Sequence, residues 1–379
     1  MPNNDLSAID RLSPCRHSAL AALTLTSVML VGAWQIIAAI QKPEGLDFPR
    51  TVLDFREGRT TGALEKQLDQ NLPARTTLIA LANAVRYTLT GGAGEQVRTG
   101  QDDWLFLTDE LRFFPQGTDN LTMRADLLGA AGHALNQQGV KMVVVLVPDK
   151  ARVHANKLAS GRYPEYNRPR YQEALTALQV RNVTVVDLLK PLTLGVTQGA
   201  VYYRTDTHWN QAGAQVAAQA LGQAVRMLGI NLEKTTFSTT SSSEQIERPG
   251  DLLRLMGLDS APAPLRPRAD MEAPATTHQS SVDSPTKLFG DAGVPVALTG
   301  TSYSLRGNFH GFLQQTLSAK ILNTAKDGGG FLTAATAYLL DDAFQSSKPK
   351  VLVWEVPERF LYTPLEGEDK WLEKVGLKH

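Results

Sequence analysis

The seven residues Lys141-Met142-Val143-Val144-Val145-Leu146-Val147 constrain the fold more than any other stretch of this chain. A strand alternates its side chains between two faces, so a run apolar at every position after Lys141 must be covered on both. Such strands belong inside parallel sheets with helices packed above and below. Pro148-Asp149-Lys150 follows at the strand's C-terminal end, where open α/β sheets gather their functional residues. Helical patterns flank the run at residues 121–138 and 171–179, and residues 183–188 read as the next strand. Residues 211–228, rich in Ala and Gln, read as a helix capped by Asn210. Further strands are expected at 103–107, 294–299 and 350–356, and a helix over 311–321. Strand and helix alternating at this spacing give an α/β fold with a parallel sheet flanked by helices.

The N-terminal part differs in kind. Residues 19–40 carry no charged side chain, and about 20 apolar residues suffice to cross a bilayer as a helix. Arg11 and Arg16 precede the run, whereas Lys42, Glu44 and Asp47 follow it, so the positive-inside bias puts the N-terminus in the cytoplasm. The expectation is an uncleaved signal anchor rather than a cleaved signal peptide. Residues 1–43 would then be a cytoplasmic tail and transmembrane anchor, and residues 44–379 an exported domain in the periplasm. The single Cys15 precedes the run, so the exported part has no disulfide and no cysteine metal site. With 42% hydrophobic residues it can hold itself together by core packing. Lys+Arg 38 against Asp+Glu 38 removes the bulk-charge argument for nucleic acid.

Elsewhere, Leu64, Leu68 and Leu72 mark one helical face ended by Pro73, and residues 78–89 give a second helix. Gly91-Gly92-Ala93-Gly94 lacks the lysine of a phosphate loop and reads as a turn. Residues 238–243 are almost all Ser and Thr and read as a looser stretch. Five prolines stand among small polar residues from Pro262 to Pro285, and a flexible, exposed insertion is expected near 260–286.

Two stretches carry chemistry. In Thr205-Asp206-Thr207-His208-Trp209 the carboxylate and the imidazole are two apart, so on extended backbone both face one side. A carboxylate so placed fixes the tautomer of a histidine base. In Gly300-Thr301-Ser302-Tyr303-Ser304 a hydroxyl sits on a turn between a strand and a helix, which supplies exposure and N–H donors. It is not the Gly-x-Ser-x-Gly elbow, because Ser304 replaces the second glycine. From spacing alone, a plain turn and a structural Asp-His pair stay open as readings. No His-x-x-x-His and no third ligand stand near His208, so no metal is expected. His310, close after Ser302, is the rival base.

Together these motifs resemble the alginate O-acetyltransferase family of AlgJ and AlgX, whose SGNH-hydrolase-like domain has its Asp-His segment before its serine segment. Asp103-Trp104-Leu105-Phe106, Pro148-Asp149-Lys150, Pro249-Gly250-Asp251-Leu252 and Trp354-Glu355-Val356-Pro357 also resemble the family's pattern. The resemblance implies Ser302 as nucleophile, His208 as general base and Asp206 as its orienter. It implies Tyr303, Arg306 and Trp209 as candidates for contacting the polymer or the oxyanion. The N-terminal anchor, and a chain ending at His379 without a carbohydrate-binding module, favour the AlgJ-like branch, which includes proteins acetylating bacterial cellulose. The implied activity is O-acetylation of an exported exopolysaccharide, alginate or cellulose. The implied partners are a multi-pass membrane O-acyltransferase as acetyl donor and other secretion-complex proteins; no cofactor is implied. The alternatives are a polysaccharide acetylesterase and a non-catalytic polysaccharide-binding subunit.

Overall fold

In the computed structural model the Lys141–Val147 strand lies inside a five-stranded parallel sheet, with neighbours on both sides. The structure describes residues 25–27, 29–38, 51–71, 75–280 and 294–377. Strands are numbered along the chain: β1 Val97–Thr99, β2 Leu105–Leu107, β3 Lys141–Val147, β4 Thr184–Asp187, β5 Phe237–Ser241, β6 Ile246–Arg248, β7 Asp270–Glu272, β8 Ala275–Gln279, β9 Val296–Thr299, β10 Ile321–Asn323 and β11 Val351–Pro357. The main sheet runs β10-β9-β11-β3-β4. The chain moves outward from β3 to β4, then returns on the other side at β9. That reversal opens a crevice at the C-terminal strand ends, where doubly wound sheets place their ligands.

The uniform apolarity of β3 has its cause here. Val143, Val145 and Val147 enter one buried cluster with Val351, Val353 and Leu298, covered by Ala214, Ala217 and Leu221 of helix Gln211–Met227 and by Phe309 and Leu313 of helix Phe309–Leu317. Met142, Val144 and Leu146 enter the opposite cluster with Leu352 and Trp354, beneath helices Gly117–Gln137 and Arg170–Gln179. Helices Gln211–Met227 and Phe309–Leu317 approach closely because Gly222 faces Thr316: a Cβ there would stand 2.4 Å from Thr316 Cγ2. Asn210 caps the first of these helices, its Oδ1 accepting from Gly213 N at 3.0 Å.

Three expectations are corrected. Residues 238–241 are not loose: β5 pairs antiparallel with β8, from Phe237↔Gln279 to Ser241↔Ala275. The insertion near 260–286 is likewise structured where it is described, because β7 pairs with β6 and β8 with β5; residues 281–293 lie outside the described residues. The helix expected over 311–321 starts at Phe309 and ends at Leu317, where Ser318 turns left-handed at φ 51°. The chain re-enters the sheet as β10. Ile321 therefore continues an apolar pattern without continuing the helix.

The chain divides into two units, Met1–Asn83 and Ala84–His379. The described part of the first is helical: residues 25–27 and 29–38, Val52–Arg56, Arg59–Asn71, and the start of Arg75–Thr90, which crosses the boundary. Helices Val52–Arg56 and Arg59–Asn71 are separated at Gly58, whose φ of +74° suits glycine. The anchor expected over residues 19–40 falls partly outside the described residues, as do the side chains of Leu64, Leu68 and Leu72. Among the described residues no helix is long and apolar enough to cross a membrane.

Candidate active site

Ser302 begins the turn that leaves β9, and His208 lies 94 positions earlier, yet His208 Nε2 stands 2.6 Å from Ser302 Oγ. His208 Nδ1 stands 2.5 Å from Asp206 Oδ1, which also accepts from the His208 backbone N–H at 2.9 Å. With Nδ1–H donating to the carboxylate, Nε2 presents its lone pair to the serine hydroxyl. Burial opposes ionisation of Asp206, but the hydrogen bonds and charge of His208 outweigh it and hold the carboxyl well below the usual range. Asp206 and His208 are buried, whereas Ser302 is half-buried and so can be reached from outside.

Each part is held by its neighbours. The segment from Tyr203 to His208 is a tight loop, closed by the Tyr202↔Trp209 bridge and by Tyr203 N donating to His208 O at 3.2 Å. Asp251 braces it from one side: Oδ1 accepts from Thr207 N at 2.8 Å and Oδ2 from Thr207 Oγ1 at 2.5 Å. Gly250 makes that approach possible, since a Cβ would stand 2.0 Å from Thr205 O. Asp270 of β7 braces it from another side, accepting from Arg204 N at 3.0 Å and Thr205 N at 3.1 Å. Lys150 closes it from within. Its ammonium, fully buried, donates to the carbonyls of Leu105, Arg204 and Asp206 at 2.6, 2.8 and 2.9 Å. Burial pulls that ammonium down to about 8, against the pull of Glu110, Asp270 and Asp206.

The serine turn rests on β11. Buried Glu355 accepts from Thr301 N at 2.8 Å, Thr301 Oγ1 at 3.0 Å and Ser304 Oγ at 3.1 Å. Burial raises its carboxyl, and the Thr301 bonds partly offset that. Gly300 lets the turn sit so low: a Cβ there would meet Glu355 Oε2 at 2.7 Å. The strand ends beneath are tied by ions. Arg152 Nε donates to Glu358 Oε2 at 2.8 Å, and the Asp149 amide donates to the same oxygen at 3.2 Å.

Among the other residues expected at the site, Tyr303 is wholly buried, donates to Thr207 O at 2.8 Å and stands edge-on to the His208 ring. Trp209 is also wholly buried, packed against Tyr303 and Phe309. Their side chains therefore form the wall behind the triad rather than a surface for polymer. Arg306 is half-buried and pairs with Asp327 at 2.8 Å. The rival base is turned away: His310 Nε2 bonds Ile321 O at 2.9 Å, at the opposite end of the sheet.

The third ligand missing from the sequence motif is supplied by folding, since Asp206, His208 and Asp251 bring ligand-type atoms within 4.8 Å of one another. Every side-chain nitrogen and oxygen of the three residues already carries a hydrogen bond, to Ser302, Thr207, a backbone amide or one another. Closing the trio on a cation would break those bonds.

Sequence reasoning did not assign roles to Glu355, Lys150, Asp251 or Asp270. Glu355 carried a signal, a lone acid inside the otherwise apolar run 351–356. His154 offers a separate test. Its ring lies 4.4 Å from Trp104, and burial, then the charges of Lys150 and Lys157, lower it to about 3. Its folded value lies below the unfolded value of about 6.5. Between the two, the unfolded chain binds a proton that the folded chain does not, so stability held above pH 6.5 is lost as pH falls. The limiting slope is about 1.4 kcal/mol per pH unit. His154→Phe is expected to flatten that acid limb in thermal melts from pH 7 to pH 4; an unchanged limb would assign it to other groups.

Residues 97–358 match a family model described as "SGNH hydrolase-like domain, acetyltransferase AlgX". The probable alginate O-acetylase AlgJ of Pseudomonas aeruginosa is 34% identical over 315 residues, 80% of each chain. The solved O-acetyltransferase domain of Pseudomonas putida AlgJ superposes with a TM-score of 0.65 at 33% identity, covering 74% of this chain and 98% of that one. The Pseudomonas aeruginosa AlgX structure gives a TM-score of 0.59 at 26% identity, covering 74% and 66%.

Proposed function

The chain belongs to the SGNH hydrolase-like acetyltransferase family of AlgX, and on that premise we propose that it acetylates sugar hydroxyls of an exopolysaccharide through an acetyl-enzyme at Ser302. The observation that carries the mechanism is the 2.6 Å contact between Ser302 Oγ and His208 Nε2. Ser302 Oγ attacks the acetyl carbonyl carbon of the donor, and its proton passes to His208 Nε2. Asp206 steadies the imidazolium. The Ser302 amide, which has no acceptor among the described residues, is the donor assigned to the oxyanion. His208 returns the proton to the leaving group. A sugar hydroxyl then attacks the acetyl-serine while His208 takes its proton; the bond from the acetyl carbon to Ser302 Oγ breaks, and His208 passes the proton to Oγ, restoring the serine.

Alginate is the acceptor the relatives' names support, with cellulose as the contrasting case. The charge-free run over residues 19–40 supports an inner-membrane anchor, residues 1–43, carrying a periplasmic domain, residues 44–379. In that setting a multi-pass membrane O-acyltransferase delivers the acetyl group, and AlgX-like relatives point to a wider secretion complex.

Purified protein given a chromogenic acetyl ester and oligosaccharides of alginate or of cellulose tests the reading. The expected result is ester consumption with an acetyl mass gain on the alginate oligosaccharide. Gain on the cellulose oligosaccharide alone would move the acceptor. Deacetylation of an acetylated oligosaccharide without gain would make the protein an esterase. No reaction with the ester would leave a binding subunit.

A further inference from the structure

Helix Arg75–Thr90 turns its large apolar side chains outward. Leu78, Leu81, Val85 and Leu89 recur at intervals of three and four, so they form one stripe along it. The four are 56, 47, 48 and 78% exposed, and Ile79 at the stripe's edge is 42% exposed. The buried side is made of small residues, Ala80 and Ala84. A helix covered by its own protein alone does the reverse and turns its leucines inward.

Its charges and its place in the chain point to lipid. From residue 75 to residue 90 the only charged side chains are Arg75 and Arg86, with no acid among them. They stand three turns apart and line one flank of the stripe. The helix also follows closely on the charge-free run over residues 19–40. Between the two, helix Val52–Arg56 buries none of its residues, although it carries Val52, Leu53 and Phe55. Sixteen residues are too few to cross a bilayer, which takes about 20. A leucine face with a basic flank suits instead a helix lying in the headgroup layer, with arginine stems on the acyl boundary and guanidinium groups at the phosphates.

We propose that the leucine stripe of helix Arg75–Thr90 lies in the surface of a membrane containing anionic phospholipid, as a second membrane contact after the anchor. This rests on the anchor argued above and adds to it: one apolar segment crosses the bilayer, and a basic amphipathic one is laid flat on it. A protein partner covering the stripe gives no reason for charges of one sign, whereas an anionic lipid surface does.

The test uses the full chain with Cys15→Ser, carrying a fluorescent label at Val85→Cys or at Thr76→Cys on the polar side of the same helix. Each is reconstituted in phosphatidylcholine vesicles, with and without phosphatidylglycerol, whose acyl chains are brominated to quench the label. Circular dichroism checks that each labelled variant keeps its fold. Quenching at Val85→Cys is expected to exceed that at Thr76→Cys by about twofold or more, and to grow with phosphatidylglycerol. Equal quenching at the two positions, or in the two kinds of vesicle, would overturn the proposal. A Val85→Cys label open to aqueous iodide would leave the stripe in water and also overturn it. A label shielded from iodide and bromolipid alike would give the stripe to a protein, the Leu64, Leu68 and Leu72 row or a second copy. Flotation of the same samples separates the two readings: a chain that floats with the vesicles without the expected quenching defeats this proposal alone, and one that does not float defeats the anchor as well.

Discussion

Ser302→Ala is expected to abolish acetyl transfer and ester consumption, by on the order of 10³-fold or more, while the protein keeps its fold. The size of the loss follows from the role proposed for Ser302. It is the half-buried member of the triad, its hydroxyl meets His208 Nε2 at 2.6 Å, and the acetyl group would be bonded to its oxygen. The remaining parts, an imidazole with its carboxylate and an amide donor, could at best activate water. Stability should barely move, because the turn is held by Glu355 through Thr301 and Ser304, not by the Ser302 side chain. Chromogenic ester turnover and melting temperature check both halves. Full activity in a well-folded variant would end the assignment.

Lys150→Met is expected to cost both stability and rate, though Lys150 touches no reacting atom. Three buried carbonyls, of Leu105, Arg204 and Asp206, lose their shared donor, and each orphaned group costs about 1–3 kcal/mol. Burying an uncharged methionine returns part of this, for a net loss of about 3 kcal/mol. The Asp206 carbonyl belongs to the residue that orients His208, so the loop should loosen where a fraction of an ångström matters. We expect kcat to fall by about tenfold or more, with KM for the small ester little changed. Denaturant unfolding read beside steady-state kinetics separates the two effects. Lost stability with unchanged kcat would make Lys150 a packing residue alone.

How far the sequence could be read depended on whether a feature was local. β3 and β11 were legible because burial on both faces leaves continuous apolar runs, and helix Gln211–Met227 because Asn210 marks its start. The Asp206-His208 pairing was legible because the two residues stand two apart and bond within one short loop, although that loop is bent rather than extended. β5 and β8 were hidden because a Ser/Thr strand is stabilised by its partner, here 34 to 42 positions away, rather than by its own pattern. β10 was hidden because Ser318, without a glycine, ends the preceding helix. Asp251 and Asp270 reach the His208 loop from 44 and 65 positions along the chain, and no spacing rule joins them to it. Tyr303 and Trp209 were misjudged for the opposite reason: they stand beside the motif in sequence, but their side chains point into the core.

The central claim is that an acetyl group travels on Ser302, handed over by a serine whose proton goes to His208. Brief reaction with an acetyl donor, acid quench and peptide mass mapping address it directly. The account predicts one acetyl group on the peptide containing Ser302, absent in Ser302→Ala and discharged when oligosaccharide is added before the quench. Acetyl transfer that continues in Ser302→Ala, or a label that maps to another residue and is discharged to the sugar, would contradict it.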